Sequence, residues 1–548
     1  LLVAGGGALT GLLFTPVPWK VMDDVAIWTQ NWPWIPQPAR APISISHSSC
    51  TLCPNACGLR VRMAAGWAVG LTGMPAHPVS RGALCPLAFG AHQLNWHPSR
   101  VRQVMHKGAP SSWDAAEAAF RRATGEGTVL VIDGRGGRAA SAVMAAFARA
   151  HNGRYVVARG AQERALSAYE AWSGAAPSSL GYDLDNARTV VSFGAAMLDG
   201  WGPPGRFTRL WAGRAAGQSD PSLRLVQIEA APSRTTAGAW RWIQVRPGSE
   251  GALAAGLARV LLEDRLVASL GPVPSLSLAD AAGRTGLGAT DIRELARTIV
   301  QRSPVVAVAA DDNPSVAALN VILGAVGSNG GVVRRNKAKT APSLAEDSGP
   351  VRAVLVDASV PSEALPKLNA EIFRFAAWQG DEQVDWLLPA PGFLEGLSDV
   401  PTAPGAAIET YAIAAPLVAP SPGTRDAAAF LSAIDAASGS VDDIIKARCQ
   451  EIFQAREGDL RKLETTPLAS VESAEALHKE LMAGAVWSGK PVEPDGLTCQ
   501  LREWPAVALA ELKSDWTADW TPPVLPPLTA KLFQESTARP APTKRRAR

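Results

Sequence analysis

Cys50, Cys53, Cys57 and Cys85 are spaced C-x2-C-x3-C-x27-C. Few features restrict a fold more, because four thiols from two distant segments must meet around one group. Three crowd into Cys50-Thr-Leu-Cys53-Pro-Asn-Ala-Cys57, and the fourth returns in Pro78-Val-Ser-Arg-Gly-Ala-Leu-Cys85. That is the ligand count of a cubane 4Fe-4S cluster. Zinc also takes four thiolates, usually as two separated C-x2-C pairs, so the crowded triplet favours the cluster. A disulfide pair is the remaining alternative.

A chain of 548 residues exceeds one simple core and predicts two to four domains. With 47% hydrophobic and 19% charged residues it has ample material for globular cores. A net charge of +3, with no basic stripe interleaved by aromatics, argues against a nucleic-acid partner. The basic end, Lys544-Arg545-Arg546-Ala547-Arg548, reads as a solvated tail or an anionic-lipid contact. Cys449 and Cys499 stand apart from the cluster motif and read as structural thiols, or as a disulfide in an oxidising compartment.

Residues Leu1 to Val17 form an uncharged, small-residue apolar run. They read as the h-region of an export signal, which would anchor the chain to a membrane if retained; a buried N-terminal helix is the alternative. The following arm holds Trp19, Trp28, Trp32 and Trp34 among prolines, and the tail from Trp516 to Arg539 is likewise rich in Pro and Trp. Neither has helical or strand periodicity, so each is expected to lie on this chain's own surface or on a partner.

The middle of the chain has an α/β pattern. Thr128 to Ile132 is an apolar run that ends in Asp133-Gly134-Arg135-Gly136-Gly137-Arg138, and an Ala-rich amphipathic stretch continues to Ala150. The loop lacks a G-x-G-x-x-G fingerprint, so it reads as a tight strand-to-helix turn rather than a phosphate cradle. Further buried-type runs at 154–158, 189–193, 223–228, 305–310, 353–356 and 372–376, most followed by helical periodicity such as Leu253, Leu257, Val260 and Leu261, predict doubly wound parallel sheets.

Several motifs then fall in a telling order. Cys50 to Cys85 is followed by Phe193-Gly194-Ala195, Glu229-Ala-Ala-Pro232-Ser233-Arg-Thr235 and Arg246-Pro247-Gly248-Ser249-Glu250, then by Leu319-Asn320 through Gly330-Gly331, Val384-Asp385 to Pro389, and Glu395. Over roughly 46–420 the chain resembles the dimethyl sulfoxide reductase family of molybdopterin oxidoreductases. The resemblance implies a small 4Fe-4S domain (41–98) and two α/β domains, one discontinuous (99–180 with 332–440) and one inserted (181–331). Residues 1–40 would be the apolar segment and arm, and 441–548 a helical stretch with an extended tail in place of the family's C-terminal pterin-covering barrel.

The departures carry as much weight as the matches. Catalytic members have a Lys two residues after the fourth Cys, then Gly; here the places hold Leu87 and Ala88. No Cys lies between Cys85 and Cys449, although a Ser or Asp molybdenum ligand stays open. Pro18-Trp19-Lys20, Ile27 to Trp34 and Leu525 to Ser536 resemble the molybdopterin-like, cofactor-free subunits of periplasmic quinone reductase complexes and of alternative complex III. That resemblance implies an electron-transfer and scaffold subunit with one 4Fe-4S cluster on Cys50, Cys53, Cys57 and Cys85 and no molybdopterin. It further implies twin-arginine export to the periplasmic side of the inner membrane. Expected partners are a ferredoxin-like multi-cluster subunit, a multihaem cytochrome c and polytopic quinone-binding membrane subunits. A catalytic molybdopterin oxidoreductase with a non-Cys ligand is the competing expectation, and a scaffold with an empty or zinc-filled site a third. His77 is expected to pack or hydrogen-bond near the cluster rather than ligate it.

Overall fold

The apolar runs become strands because their side chains can be covered on both faces. The computed structural model describes residues 42–507, apart from 55, 199, 203, 215–221, 269–270, 336–350, 361–368, 381–383, 404 and 492–496. The Leu1–Val17 segment, the Trp arm, the 516–539 tail and the basic end lie outside the described residues.

Strands β1 (Ser44–Ser49), β2 (Gly58–Ala64) and β3 (Trp67–Gly73) form an antiparallel sheet in that order. Leu59, Val61 and Met63 alternate along β2 into a core shared with Cys50, Cys57, Leu71 and Leu84. Helix α1 (Pro86–Gly90) starts directly after Cys85, with Pro86 in the first turn where its missing N–H costs nothing.

A seven-stranded sheet follows. It is built from β4 (Met105–His106), β5 (Ala109–Pro110), β6 (Thr128–Asp133) and β7 (Arg154–Val157), and from β14 (Val351–Val356), β15 (Glu371–Ala376) and β16 (Trp386–Pro389) far along the chain. Its order is β5-β4-β16-β15-β14-β6-β7, parallel from β16 to β7 with an antiparallel edge at β4 and β5. Helix α2 (Trp113–Glu126), capped by Ser112, and α3 (Ala139–Ala150) bring Phe120 and Phe147 to a core with Phe373, Phe375 and Phe430.

A four-stranded parallel sheet comes from residues between the two halves of the first. Its strands are β9 (Thr189–Phe193), β10 (Arg224–Glu229), β11 (Arg241–Gln244) and β12 (Val305–Ala309), in the order β11-β10-β9-β12. Helices α4 (Pro204–Arg214), α5 (Glu250–Glu263), α6 (Ala289–Val300) and α7 (Pro314–Ile322) belong to this unit. Leu253, Leu257, Val260 and Leu261 all face its core. Asn320 fastens α7 to β12 by accepting from the Ala307 N–H and donating to the Ala307 carbonyl, each at 2.7 Å. A small sheet, β13-β8-β18, joins β8 (Leu180–Tyr182) to β13 (Val332–Arg334), just after Gly330-Gly331, and to β18 (Gly405–Ala406). The chain is thus a mixed α/β protein with several parallel-sheet units.

The C-terminal part differs from the helix-and-tail expectation for 441–548. Helices α8 (Val441–Ala455) and α9 (Ala474–Met482) are present, but β20 (Asp459–Arg461), β21 (Thr465–Pro467) and β22 (Val486–Pro491) join β17 (Ser398–Pro401) and β19 (Ile408–Ala414) in a five-stranded antiparallel sheet. Two of the new strands are three residues long, too short for alternation to announce them, and Gly489 and Pro491 weaken the signal of the third. Pairing of β22 with β19 extends the sheet, and the β20–β21 hairpin adds to it along β22. Among the described residues the sheet is open, its edges β17 and β21 not meeting. Cys449 lies in the core beneath this sheet and Cys499 against the inserted unit, both as free thiols, so the disulfide alternative is not realised.

Candidate metal centre and the cavity beside it

Strand β1 delivers Cys50, and β2 starts one residue after Cys57. The Cys50 N–H donates to the Cys57 carbonyl at 2.8 Å and closes the loop between them. Ala56, at φ 52°, supplies its left-handed corner. Cys50 and Cys57 are buried, whereas Cys53 and Cys85 are partly exposed.

His77 holds the returning segment to this loop. Its Nδ1 accepts from the N–H groups of Val79, at 3.2 Å, and Ser80, at 3.1 Å, while the ring bonds the Ala56 backbone. Burial pushes His77 down to about 4, so it is a neutral strut with both ring nitrogens used. Gly58 is required beneath it, because a Cβ there would lie 2.7 Å from the imidazole Cδ2. The inserted unit closes the other side: a Cβ at Gly205, at the start of α4, would stand 2.7 Å from the Ala83 carbonyl and 3.5 Å from the Cys57 Sγ.

The four thiols sense one another. Burial, then the nearby Cys50, Cys53 and Cys85, pushes Cys57 well above its ordinary value. Burial and the charges of Cys53 and Cys85 likewise raise Cys50. Buried thiols such as Cys50 and Cys57 ionise only when a cationic group sits among them, which is the demand an iron-sulfur core meets. Among the described residues no three His, Cys, Asp or Glu side chains converge as a single metal ion requires. The crowded triplet with a returning fourth thiol is what favours a multi-iron core over one zinc ion. Leu87, at the place of the family's Lys, is an aliphatic residue of α1 and Ala88 is buried.

Beside the loop lies a cavity of about 460 Å³. Cys53 and Pro54 form one wall and the Gly134–Arg138 turn another, with Arg159, Arg335 and Arg448 among the remaining lining. Of its basic groups, Arg138, Arg335 and Arg448 are already engaged, while Arg135 has no ion pair among the described residues. Arg138 donates to Asp133 at 2.6 Å and to Asp357 at 2.8 Å. The first amide of α3, on Ala139, donates to Asp399 Oδ1 at 2.7 Å, and Arg448 binds Asp399 Oδ2. Arg335, pushed down to about 10 by burial, donates to the carbonyls of Ser178 and Ala403. Glu163, Glu409 and Glu451 add negative charge to the lining. A phosphate-bearing pterin needs free donors. Here the helix end and Arg138, Arg335 and Arg448 are satisfied by the protein's own carboxylates and carbonyls, which leaves few free donors beyond Arg135, so the cavity fits such a polyanion poorly. The Glu229–Thr235 motif is satisfied internally too, Glu229 accepting from the Ser233 N–H and hydroxyl.

Arg135 is the residue that sequence reading passed over. Its turn was visible, but nothing local showed that Arg135 would reach back to the cysteine loop. There its charge acts on Cys50 and Cys53. Its backbone N–H bonds Asp133 at 2.8 Å, while among the described residues no carboxylate lies within ion-pair distance of its guanidinium.

Residues 43–93 match a family model described as the molybdopterin oxidoreductase Fe4S4 domain. The chain is 27% identical over 508 residues to the menaquinone reductase, molybdopterin-binding-like subunit of Nitratidesulfovibrio vulgaris, covering 81% of this chain and 73% of that protein. It is 23% identical over 243 residues to a sulfite dehydrogenase polypeptide of Allochromatium vinosum, 41% of this chain and 24% of that one. The acetylene hydratase of Pelobacter acetylenicus shares the fold, with a TM-score of 0.62 at 14% identity over 83% of this chain and 76% of that one. The chain carries a molybdopterin oxidoreductase Fe4S4 domain within a related fold, as its ordered motifs implied.

Proposed function

We propose that this chain is an electron-transfer and scaffold subunit of a membrane-associated quinone/cytochrome c oxidoreductase, with one 4Fe-4S cluster on Cys50, Cys53, Cys57 and Cys85 and no molybdopterin. The observation that carries the reading is the cavity beside Cys53, where Asp399 caps α3 and binds Arg448 and where Arg138 and Arg335 also bond the protein's own groups. The similarity to a menaquinone reductase subunit supports placement in a quinone-linked complex. Ferredoxin-like, multihaem cytochrome and polytopic quinone-binding subunits are the proposed partners, and the periplasmic side of the membrane the proposed location.

The competing reading, a catalytic enzyme with an Asp or Ser ligand to molybdenum, would look first to Asp399 in this cavity. One of its oxygens accepts from the Ala139 N–H, and the other from the Tyr411 hydroxyl and Arg448. Low-temperature EPR of the dithionite-reduced complex separates the two readings. The proposal expects a cubane signal assigned to this chain through a Cys53→Ser variant, with no Mo(V) or W(V) signal at any poised potential. A pentavalent metal signal from this chain would overturn it.

A further inference from the structure

Ten large hydrophobic side chains are exposed among the described residues, and six of them, Ile43, Ile45, Trp67, Val69, Phe89 and Trp96, lie on the cysteine-bearing unit. Trp67 and Trp96 are 48% and 52% exposed with ring centroids 5.3 Å apart, an aromatic pair turned toward solvent. Ile45 and Gly70 lie opposite Arg62 in the sheet register, so these residues share its outward face, and a Cβ on Gly70 would sit 3.8 Å from the Arg62 Cδ. Isolated exposed apolar residues are ordinary, but such a concentration on one small unit marks an interaction surface.

The charge of this unit has one sign. From Pro42 to Ser112 the sequence has no Asp or Glu; Arg81, Arg100 and Lys107 pair with Asp185, Glu395 and Asp385 of the rest of the chain, which leaves Arg60, Arg62 and Arg102 to give the face its positive charge. The face also lies close to the thiols along the chain. Phe89 is in α1, which Cys85 opens, and β2 begins next to Cys57 and runs to Ala64, the partner of Trp67 at its far end.

We infer that the Trp67–Trp96 face is the docking surface through which the cluster exchanges electrons with a partner protein that is acidic around an apolar centre. The inference rests on the cluster reading above. An apolar centre with Trp anchors supplies affinity, and a one-signed rim supplies orientation and encounter rate. An acidic protein is favoured over lipid because an electron must leave the buried cluster toward another redox centre.

The test uses the full chain with its cluster, reduced in a stopped-flow by hydroquinone flavodoxin, an acidic one-electron donor, and separately by reduced methyl viologen. For the parent, the flavodoxin rate should fall with ionic strength. Trp67→Ser/Trp96→Ser and Arg62→Glu should each lower it tenfold or more, with the viologen rate unchanged. Equal flavodoxin rates in parent and variants, with an intact cubane spectrum, would overturn the docking surface alone. So would a parent dimer that the Trp variant dissolves, or loss in that variant of binding to phosphatidylglycerol vesicles, which would reassign the face to a second copy or to lipid. A parent with no cubane absorbance under any reconstitution would overturn the cluster reading and this one with it.

Discussion

Arg100 and Glu395, 295 residues apart in the chain, meet in a buried ion pair at 2.6 Å. Arg100 follows the cysteine-bearing unit, and Glu395 also accepts from the Gly392 N–H at 2.7 Å and the Ser421 hydroxyl at 3.1 Å. Glu395→Ala leaves a buried guanidinium without its partner and should lower stability by about 3–5 kcal/mol. The double change Arg100→Met/Glu395→Leu should recover part of that loss. Chemical denaturation of the two variants against the parent measures both effects.

Arg135 sets the charge beside the cysteine loop, where it acts on Cys50 and Cys53. Reduction adds negative charge to a cluster, and a nearby cation favours it. Arg135→Leu should lower the cluster potential by an amount on the order of 59 mV, tenfold in the one-electron equilibrium constant. Arg135→Lys should stay close to the parent. Redox titration followed by EPR reads the shift, and an unchanged potential in Arg135→Leu would remove the residue from the account.

His77 predicts a pH dependence of stability. Its folded value, about 4, lies below its ordinary value of 6.5 because burial disfavours the charged ring. The unfolded chain therefore binds a proton first as pH falls. The stabilisation is full above pH 6.5, declines between 6.5 and about 4, and is gone below. Integrated over that window it is about 3 kcal/mol. Denaturation of the parent across this range should show the fall, and His77→Gln should flatten the His77 part of it while weakening the hold on Val79 and Ser80.

Cys53 touches both the loop and the cavity. Cys53→Ser should bleach the cubane absorbance, and the loop from Ser46 to Pro86, organised in part by metal, should become easier to proteolyse. A full cubane spectrum in Cys53→Ser/Cys57→Ser would refute the ligand assignment.

Much of this architecture was legible because its strands are apolar on both faces. The runs Thr189–Phe193 and Val305–Ala309 are buried throughout and needed no tertiary information to be read as parallel strands. The cysteine spacing likewise announced the thiol set. Strands β20 to β22 were not legible, since β20 and β21 are a hairpin of three-residue strands and β22 is placed by pairing with β19, far earlier in the chain. Nor was the state of the cavity: that Asp399 would cap Ala139, 260 positions away, is a consequence of the fold. The glycine turn was correctly read as a tight strand-to-helix connection, but Arg135 gained its meaning only when β6 was placed beside the cysteine loop.

The central claim is that this chain keeps the iron-sulfur site of a molybdopterin oxidoreductase and holds most of the donors lining the cavity beside it in its own ion pairs and carbonyl bonds. Elemental analysis of the purified complex by mass spectrometry, normalised to this chain and corrected for the clusters and haems of its partners, tests it most directly. The account predicts about four irons per chain, no molybdenum or tungsten, and no pterin fluorescence after oxidative extraction. Stoichiometric molybdenum or tungsten with extractable pterin would contradict it.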